Sequence, residues 1–340
     1  MRRLKYVIRR LAFALLVVIG ASIVTFFISR VVPSNPAAKW VGPHPTKEQL
    51  EKARVELGLD QPLHIQYLRY MEQVLRGDFG VSVRTHHPIN DDLKTYLPPT
   101  IELVVVGSLM AIIIGIPLGA LAGAHKNGPI DHFSRLFAVA GVSIPPFWLG
   151  LLLQLFFFGV VGILPLGGRV DNRIILYYPI EHVTGFYIVD SLLTGNLVAF
   201  KDSLLHIILP AFTLATYPLG LTIRMTRSTM IEVLAEQYIT AARAAGIPER
   251  TILYRLALKN AIIPTLTLLG LSLVYALTGS ILVEVIFSWP GLGNYLTAAI
   301  MSIDFPTIMA VTLIVTVLYV LVNLLVDILQ SIVDPRVELS

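Results

Sequence analysis

Residues 236–264 read EQYITAARAAGIPERTILYRLALKNAIIP, a helix-friendly, arginine-bearing stretch between two segments oily enough for lipid. On a helix, Ile231, Leu234, Tyr238, Ala241, Ala242 and Ala245 recur at helical spacing and make one apolar face. The later half of that face is small, so another surface can approach its backbone. Gly246 permits the left-handed conformation that ends a helix. Pro248 and Glu249 suit the first turn of a second helix, where a missing N–H and a negative charge are tolerated. Ile252, Leu253 and Leu256 carry that helix into the next apolar segment near Pro264. The pattern predicts a stiff polar elbow between two membrane spans.

The rest of the chain supports the membrane setting. Of 340 residues 55% are hydrophobic and 14% charged, with mean hydropathy +0.74. Soluble domains carry about a quarter charged residues, so this is an integral membrane protein. The absence of cysteine excludes disulfides, iron–sulfur clusters and cysteine-based zinc sites. A span needs roughly 20 mostly apolar residues, and six stretches qualify: 9–32, 99–123, 135–162, 205–225, 262–287 and 305–333. The first follows MRRLKYVIRR, exceeds a signal-peptide core of about 7–15 residues and shows no small-residue cleavage site, so it reads as a retained helix. Lys and Arg in short loops set orientation. Arg2, Arg3, Lys5, Arg9 and Arg10 precede the first span, and Lys126 and Arg135 flank the turn after the second. Arg224, Arg227, Arg243, Arg250, Arg255 and Lys259 lie in or beside the elbow, whereas Ser288 to Asp304 holds neither residue type. Both termini and the elbow are therefore expected in the cytoplasm.

The expected fold is an all-α bundle of six transmembrane helices with an extracytoplasmic helical insertion between the first and second. Its divisions are 1–32 for the N-terminal segment and first span, 33–98 for the insertion, 99–333 for the core with the elbow at 226–260, and 334–340 for a cytoplasmic tail. In the insertion, Thr46 and Gln49 have capping-box spacing and Gly58 is placed to end that helix. A second helix is expected from Pro62 to Gly77, with 78–98 extended or irregular and 163–204 a loop region containing aromatics. No 20–50-residue repeat and no inverted repeat of spans is visible.

On physical pattern alone the elbow has two readings. One is a connector on anionic lipid, its arginines anchoring it inside. The other is a docking helix that transmits force from a cytoplasmic partner. The stretch resembles the EAA loop of ABC-importer permeases, whose pattern is Glu-Ala-Ala, three residues, Gly, then Ile-x-Leu-Pro. Thr240-Ala241-Ala242 followed by Gly246 fits except at the first position. ARAAG followed by ALKNAIIP is similar to the dialect of the peptide/nickel branch, in permeases of the first-subunit type. ELGLDQP, QYLRY, GDFGVS, TGFYIVD, HIILPAFTL, RMTRSTMIEVL, FSWPGLG, LVNLLVDI and DPR, in this order, extend the resemblance over almost the whole chain. Three positions depart from it. Thr240 replaces the loop's glutamate, with Glu236 the nearest substitute; Leu258-Lys259 stands where Leu-Pro is expected; and VPSNPAA stands where the branch often has Gly-Asp-Pro.

The resemblance implies a type I importer permease in the cytoplasmic (inner) membrane of a prokaryote. Its implied partners are a second homologous permease, two ATP-binding cassette ATPases, an extracytoplasmic substrate-binding protein and membrane lipid, with no nucleic acid. The implied cargo is dipeptides or oligopeptides, with oligosaccharides or nickel chelates as alternatives, moved by alternating access. Glu236, Tyr238, Ala241, Ala242, Arg243 and Gly246 would form the coupling site, with the small residues packing closely and Glu236 and Arg243 at the rim. No Gly-Lys dipeptide occurs, so a phosphate-cradling loop is absent and ATP hydrolysis is assigned to another chain. No catalytic residue, cofactor or metal is expected.

The remaining candidates each carry a plainer alternative. FSWPGLG, with Trp289, Pro290 and Gly291, forms either part of an outer gate or an interfacial Trp before a Pro-Gly turn and a short loop. Glu284 is either a functional ionisable group within a span or a solvated one near its end; Glu102, at the start of the second span, and Asp327 raise the same question. Pro117, Pro145-Pro146, Pro210 and Pro264 are expected to kink helices. His86-His87 lacks a supporting carboxylate framework for a metal. Tyr177, Tyr178, Phe186 and Tyr187 either meet a partner or rest on headgroups. An ion-coupled transporter would need repeated halves and mid-membrane charge pairs. An intramembrane hydrolase would need a base inside the spans, and His206 is expected at a helix end.

Overall fold

The structure, a computed structural model, describes residues 2–31, 37, 41–42, 45–56 and 58–333. VPSNPAA at 32–38, apart from Ala37, and the terminal DPR with the tail 334–340 lie outside them. The elements are α1 (Arg2–Val31), α2 (Lys47–Glu56), α3 (Leu63–Leu75), α4 (Ile89–Ala124), α5 (Pro129–Ser143), α6 (Pro146–Val160), α7 (Asn172–Tyr177), α8 (Tyr187–Leu193), α9 (Leu197–Leu234), α10 (Gln237–Ala244), α11 (Glu249–Ile286), α12 (Leu292–Ser302) and α13 (Phe305–Val333). Among the described residues five helices are long and apolar enough to cross a membrane, six if α5 and α6 make one span.

That pair corrects the expected continuous helix over 135–162. It bends by 112° between Ser143 and Pro146. Ile144 has ψ 127° and Pro145 has ψ 129°; each precedes a proline, whose ring disfavours the helical region for the residue before it. Two such residues in succession break the helix instead of kinking it. Pro117, Pro210 and Pro264, by contrast, lie inside continuous helices. Helix also extends further than expected at three places. α4 begins at Ile89 with Asp91 and Asp92 in its first turn, favourable against the helix dipole, so Glu102 sits well inside it. α9 begins at Leu197, which places His206 nine residues past its start instead of at its end. The stretch after FSWPGLG is largely α12, not a plain loop.

The chain divides into two compact units. The first holds residues up to Leu97 together with Asn294–Val320. Its small helices follow the local signals: Thr46 and Gln49 bond reciprocally (2.9 and 3.3 Å), and Gly58 and Gly77 take φ +63° and +79° just past α2 and α3. Tyr67 and Tyr70 of α3 pack on Phe26 of α1, with ring centroids 5.4 and 6.1 Å away. Burial, with Tyr67 beside it, pushes the Tyr70 phenol up to about 12. His86 and His87 build a tight turn, His86 at φ +55° and the His87 carbonyl accepting from Ser82 N–H. Buried Asp304 accepts from the Ser82 hydroxyl (2.5 Å) and caps α13 through Thr307. The Tyr295 hydroxyl donates to Asp92 (2.6 Å), and burial and that carboxylate raise its pKa.

The second unit, Pro98–Gly293 with the residues from Leu321 on, is centred on α9. Membrane helices associate through close packing of small residues, because lipid is as apolar as a leucine face. α4 does this with Gly115, Gly119 and Gly123, where an added Cβ would lie 2.8, 2.7 and 2.6 Å from Thr222, Thr226 and Met230 of α9. Gly141 of α5 and Gly220 of α9 make the matching approach on another side.

Candidate functional site

The elbow is more segmented than one helix from Ile231 to Ala245. α9 ends at Leu234, Ala235 caps it, and Glu236 swings to φ −69°, ψ 148° before α10 starts. Glu236 uses its carbonyl, not its carboxylate, to cap α10, accepting from the N–H groups of Ile239 and Thr240 (3.1 and 3.3 Å). The break turns α10 relative to the expected face. Ile239 and Ala242 are buried against Met230, Ile252, Ala257 and Ala261, whereas Tyr238, Ala241 and Ala245 are exposed. Arg243 reaches across the turn to Glu249 (2.8 Å). Asn260 donates to the Tyr238 hydroxyl (2.8 Å), tying α10 to α11.

Gly246 has φ +73°, which favours glycine because a side chain there crowds the backbone. Its N–H donates to Arg243 O (3.0 Å) and that of Ile247 to Ala242 O (3.1 Å), which completes a Schellman stop. A Cβ at Gly246 would meet nothing within 4 Å in this chain, so the backbone angle, not internal packing, requires the glycine. Three of the four sequence-singled helix residues, Tyr238, Ala241 and Arg243, thus lie on an exposed surface, while Ala242 anchors it from beneath.

At the other sequence-singled region the side chains close on one another. Glu284 is fully buried, not solvated. It accepts from the Thr100 hydroxyl (2.7 Å) and Gly293 N–H (2.6 Å). Trp289 is buried too, with its Nε1–H on Pro99 O (2.9 Å), so it is no interfacial anchor. A Cβ at Gly291 would lie 2.5 Å from both the Glu284 carboxyl carbon and Thr100 Oγ1. The Pro-Gly turn at Pro290-Gly291 therefore folds over the Glu284 carboxyl group, which it must not crowd. Gly291→Ala should destabilise the chain by roughly 1–3 kcal/mol, the usual cost of overpacking. Thermal unfolding in detergent checks this, and an unchanged midpoint would contradict the packing.

Beside it lies a residue the sequence reading passed over. Arg169 donates to Glu102 Oε2 (2.5 Å) and Gly185 O (2.9 Å), and its guanidinium stacks 3.6 Å from the Tyr187 ring centroid. The Trp289 ring is 5.7 Å away, and the Glu102 and Arg169 side chains are 5% and 6% exposed. Glu102 Oε1 accepts the Ile188 N–H (2.9 Å). TGFYIVD finds its use here: Asp190 accepts from the Thr184 hydroxyl and the N–H groups of Val183, Thr184 and Gly185, so it holds the loop that delivers Gly185 and Tyr187 to Arg169. Burial works to raise the Asp190 pKa, but these donors together hold it below its ordinary value. Tyr187 therefore packs on the arginine, whereas Tyr177 and Tyr178 stay exposed.

A third cluster was also missed. Fully buried Asp131 accepts from Arg227 through both Nε and Nη2 and from Asn127 N–H (2.8 Å), with Arg135 Nε 3.7 Å away. Arg227 and Arg135 had registered only as orientation charges. The aspartate that binds them sits in α5's first turn. Glu102 and Asp131 are thus each paired with an arginine, and Glu284 accepts from a hydroxyl and a backbone N–H. The elbow differs, with Tyr238, Ala241 and Arg243 on its exposed surface.

Residues 115–339 match the family described as binding-protein-dependent transport system inner membrane component, and residues 3–104 match its N-terminal companion. A probable D,D-dipeptide transport system permease protein of Escherichia coli K12 is 45% identical over 322 residues, covering 95% of this chain and 94% of that protein. A dipeptide transport permease of Alkalihalophilus pseudofirmus is 41% identical over 98% of this chain and 99% of its own. An oligopeptide transport permease of Bacillus subtilis is 35% identical over the same shares. Family matches that together run nearly end to end, and relatives of this identity that are all transport permeases, make it a transport subunit: the chain belongs to the binding-protein-dependent transport system inner membrane component family.

Proposed function

We propose that this chain is one of two homologous permease subunits of an ABC importer for dipeptides or oligopeptides. It sits in the inner membrane with both termini and the elbow in the cytoplasm, and residues 33–98 form an extracytoplasmic insertion. The observation that carries the coupling role is the surface of α10. Tyr238, Ala241 and Arg243 are exposed on a two-turn helix anchored by Ile239 and Ala242 and stopped at Gly246. A small-residue face flanked by a charge suits insertion into a groove of a cytoplasmic ATPase. Thr240 offers no carboxylate there, and Glu236, whose side chain is exposed and not used in capping, takes the rim position. Peptide cargo is supported by the relatives, which are dipeptide and oligopeptide transport permeases. The buried groups around Glu284, Trp289, Pro290 and Gly291 brace the outer end of α11, so that movement at the elbow reaches the outer mouth through stiff helices.

The test is purification of the tagged native chain in mild detergent with its co-purifying proteins identified, followed by uptake of labelled peptides in vesicles containing the recovered complex. A second six-span permease with one or two P-loop ATPases, and ATP-dependent peptide uptake, is the expected result. Recovery of the chain alone or only with itself overturns the importer reading. Uptake of an oligosaccharide or nickel chelate in place of peptide overturns the cargo.

A further inference from the structure

Tyr217 of α9 and Tyr275 of α11 pack together with ring centroids 4.3 Å apart, both partly open at the surface. Along α9 the nearest charged residue is Arg224, seven residues on or about 10 Å. Along α11 it is Glu284, nine residues on or about 14 Å. The pair therefore lies deep within the apolar length of both helices. Tyrosines of membrane proteins gather at the water interface, where the ring meets lipid and the hydroxyl meets water. These two hydroxyls have no hydrogen-bond partner among the described residues. An unpaired hydroxyl in hydrocarbon is unfavourable, so the surface that carries them is not explained by lipid.

The neighbouring positions agree. α9 is the most enclosed of the spanning helices, and Tyr217, Leu221, Arg224 and Ser228 follow helical spacing along one open face of it, with Met225 and Arg227 partly open at its flanks. Arg224 on that stripe has no ion-pair partner among the described residues. On α11 the open stripe is Thr267, Leu271, Tyr275 and Thr278. A lipid-facing stripe reads differently: the exposed positions of α1 from Ala12 to Ile28, among them Phe13, Leu16, Ile23, Val24 and Phe27, are all apolar, and the partly open Thr25 there satisfies its hydroxyl on Ala21 O.

We propose that Tyr217 and Tyr275 are a cargo contact at mid-membrane, and that Arg224, farther along the same stripe, receives the cargo's carboxylate. A phenol hydroxyl both donates and accepts, which matches the N–H and C=O groups of a short peptide, and the rings offer a flat wall to its side chains. Two neutral hydroxyls hold a peptide weakly enough to release it, and the unpaired guanidinium then draws the carboxylate end onward. This rests on the peptide-importer reading above.

The experiment uses the complete importer in vesicles with a photoreactive benzoylphenylalanine at Tyr275 and a radiolabelled tripeptide. Illumination during ATP turnover should transfer label to this chain, and excess unlabelled tripeptide should remove at least four-fifths of it. Attachment to lipid or to the second permease only would overturn the contact. A Tyr217→Phe/Tyr275→Phe importer, which keeps the rings and drops the hydroxyls, should lose at least fivefold in uptake rate while still co-purifying with its partners; wild-type rates would overturn the hydroxyl role. Wild-type uptake run in parallel separates the two readings. Uptake without label at Tyr275 sinks the contact alone, and no uptake by the wild type sinks the peptide reading and this contact with it.

Discussion

An importer carrying Gly246→Val should reach the membrane at the normal level, yet lose more than tenfold in ATP-driven uptake. Gly246 sits at φ +73°. An L-residue held in the left-handed region costs roughly 1–2 kcal/mol, and a β-branched one is a conformational outlier there. The least expensive relief is to unwind the last turn of α10, releasing the bonds from Gly246 and Ile247 to Arg243 O and Ala242 O. α10 has only eight residues, so losing a turn displaces Ala241 and Arg243 from the surface they would offer to an ATPase. Nothing in this chain lies within 4 Å of the added Cβ, which leaves insertion and span packing untouched. Gly246→Asn should be far milder, because asparagine tolerates this region. The check is uptake in vesicles normalised to the amount of chain present. Wild-type uptake by the valine variant would remove the coupling assignment.

Arg169→Ala should lower stability by about 3–5 kcal/mol, because it leaves the Glu102 carboxylate buried without its partner. It also strips Gly185 O of a donor and the Tyr187 ring of its stacked cation. Arg169→Lys should rescue little, since an ammonium cannot reproduce a planar group that stacks and donates at once. Glu102→Gln combined with Arg169→Met should be less damaging than the sum of the single changes, because the two residues share one interaction. Thermal midpoints in detergent and steady-state membrane levels measure the four single changes and the double. An Arg169→Ala chain that melts with the wild type would show that the pair holds nothing.

Much of the local architecture was legible in the sequence because it rests on near-neighbour chemistry. The capping box at Thr46 and Gln49, the glycine stops at Gly58, Gly77 and Gly246, and the apolar spans all depend on residues a few positions apart. The misreadings fall where distant residues decide. A single apolar face from Ile231 to Ala245 was expected, but Glu236 leaves the helical region and α10 turns so that Ile239, not Tyr238, is buried. Glu284 looked solvated because only its neighbours along α11 are visible in sequence; Thr100, 184 residues away, and the turn at Gly291 enclose it. Arg169 drew no reading for the same reason, since its carboxylate partner is 67 residues earlier. One signal was present: an arginine in the aromatic-bearing 163–204 segment, downstream of a glutamate inside a span, invites a pairing.

Periodicity and composition suffice to specify that the chain crosses a membrane as helices, because the bilayer leaves backbone polar groups no other means of satisfaction. Cap chemistry specifies where several helices stop. What surrounds each buried ionisable group and which side of α10 faces outward are settled by contacts between segments far apart in the chain. A charge in low dielectric is tolerable only beside its partner, and that partner is brought near by packing of helices whose glycines allow their backbones to touch.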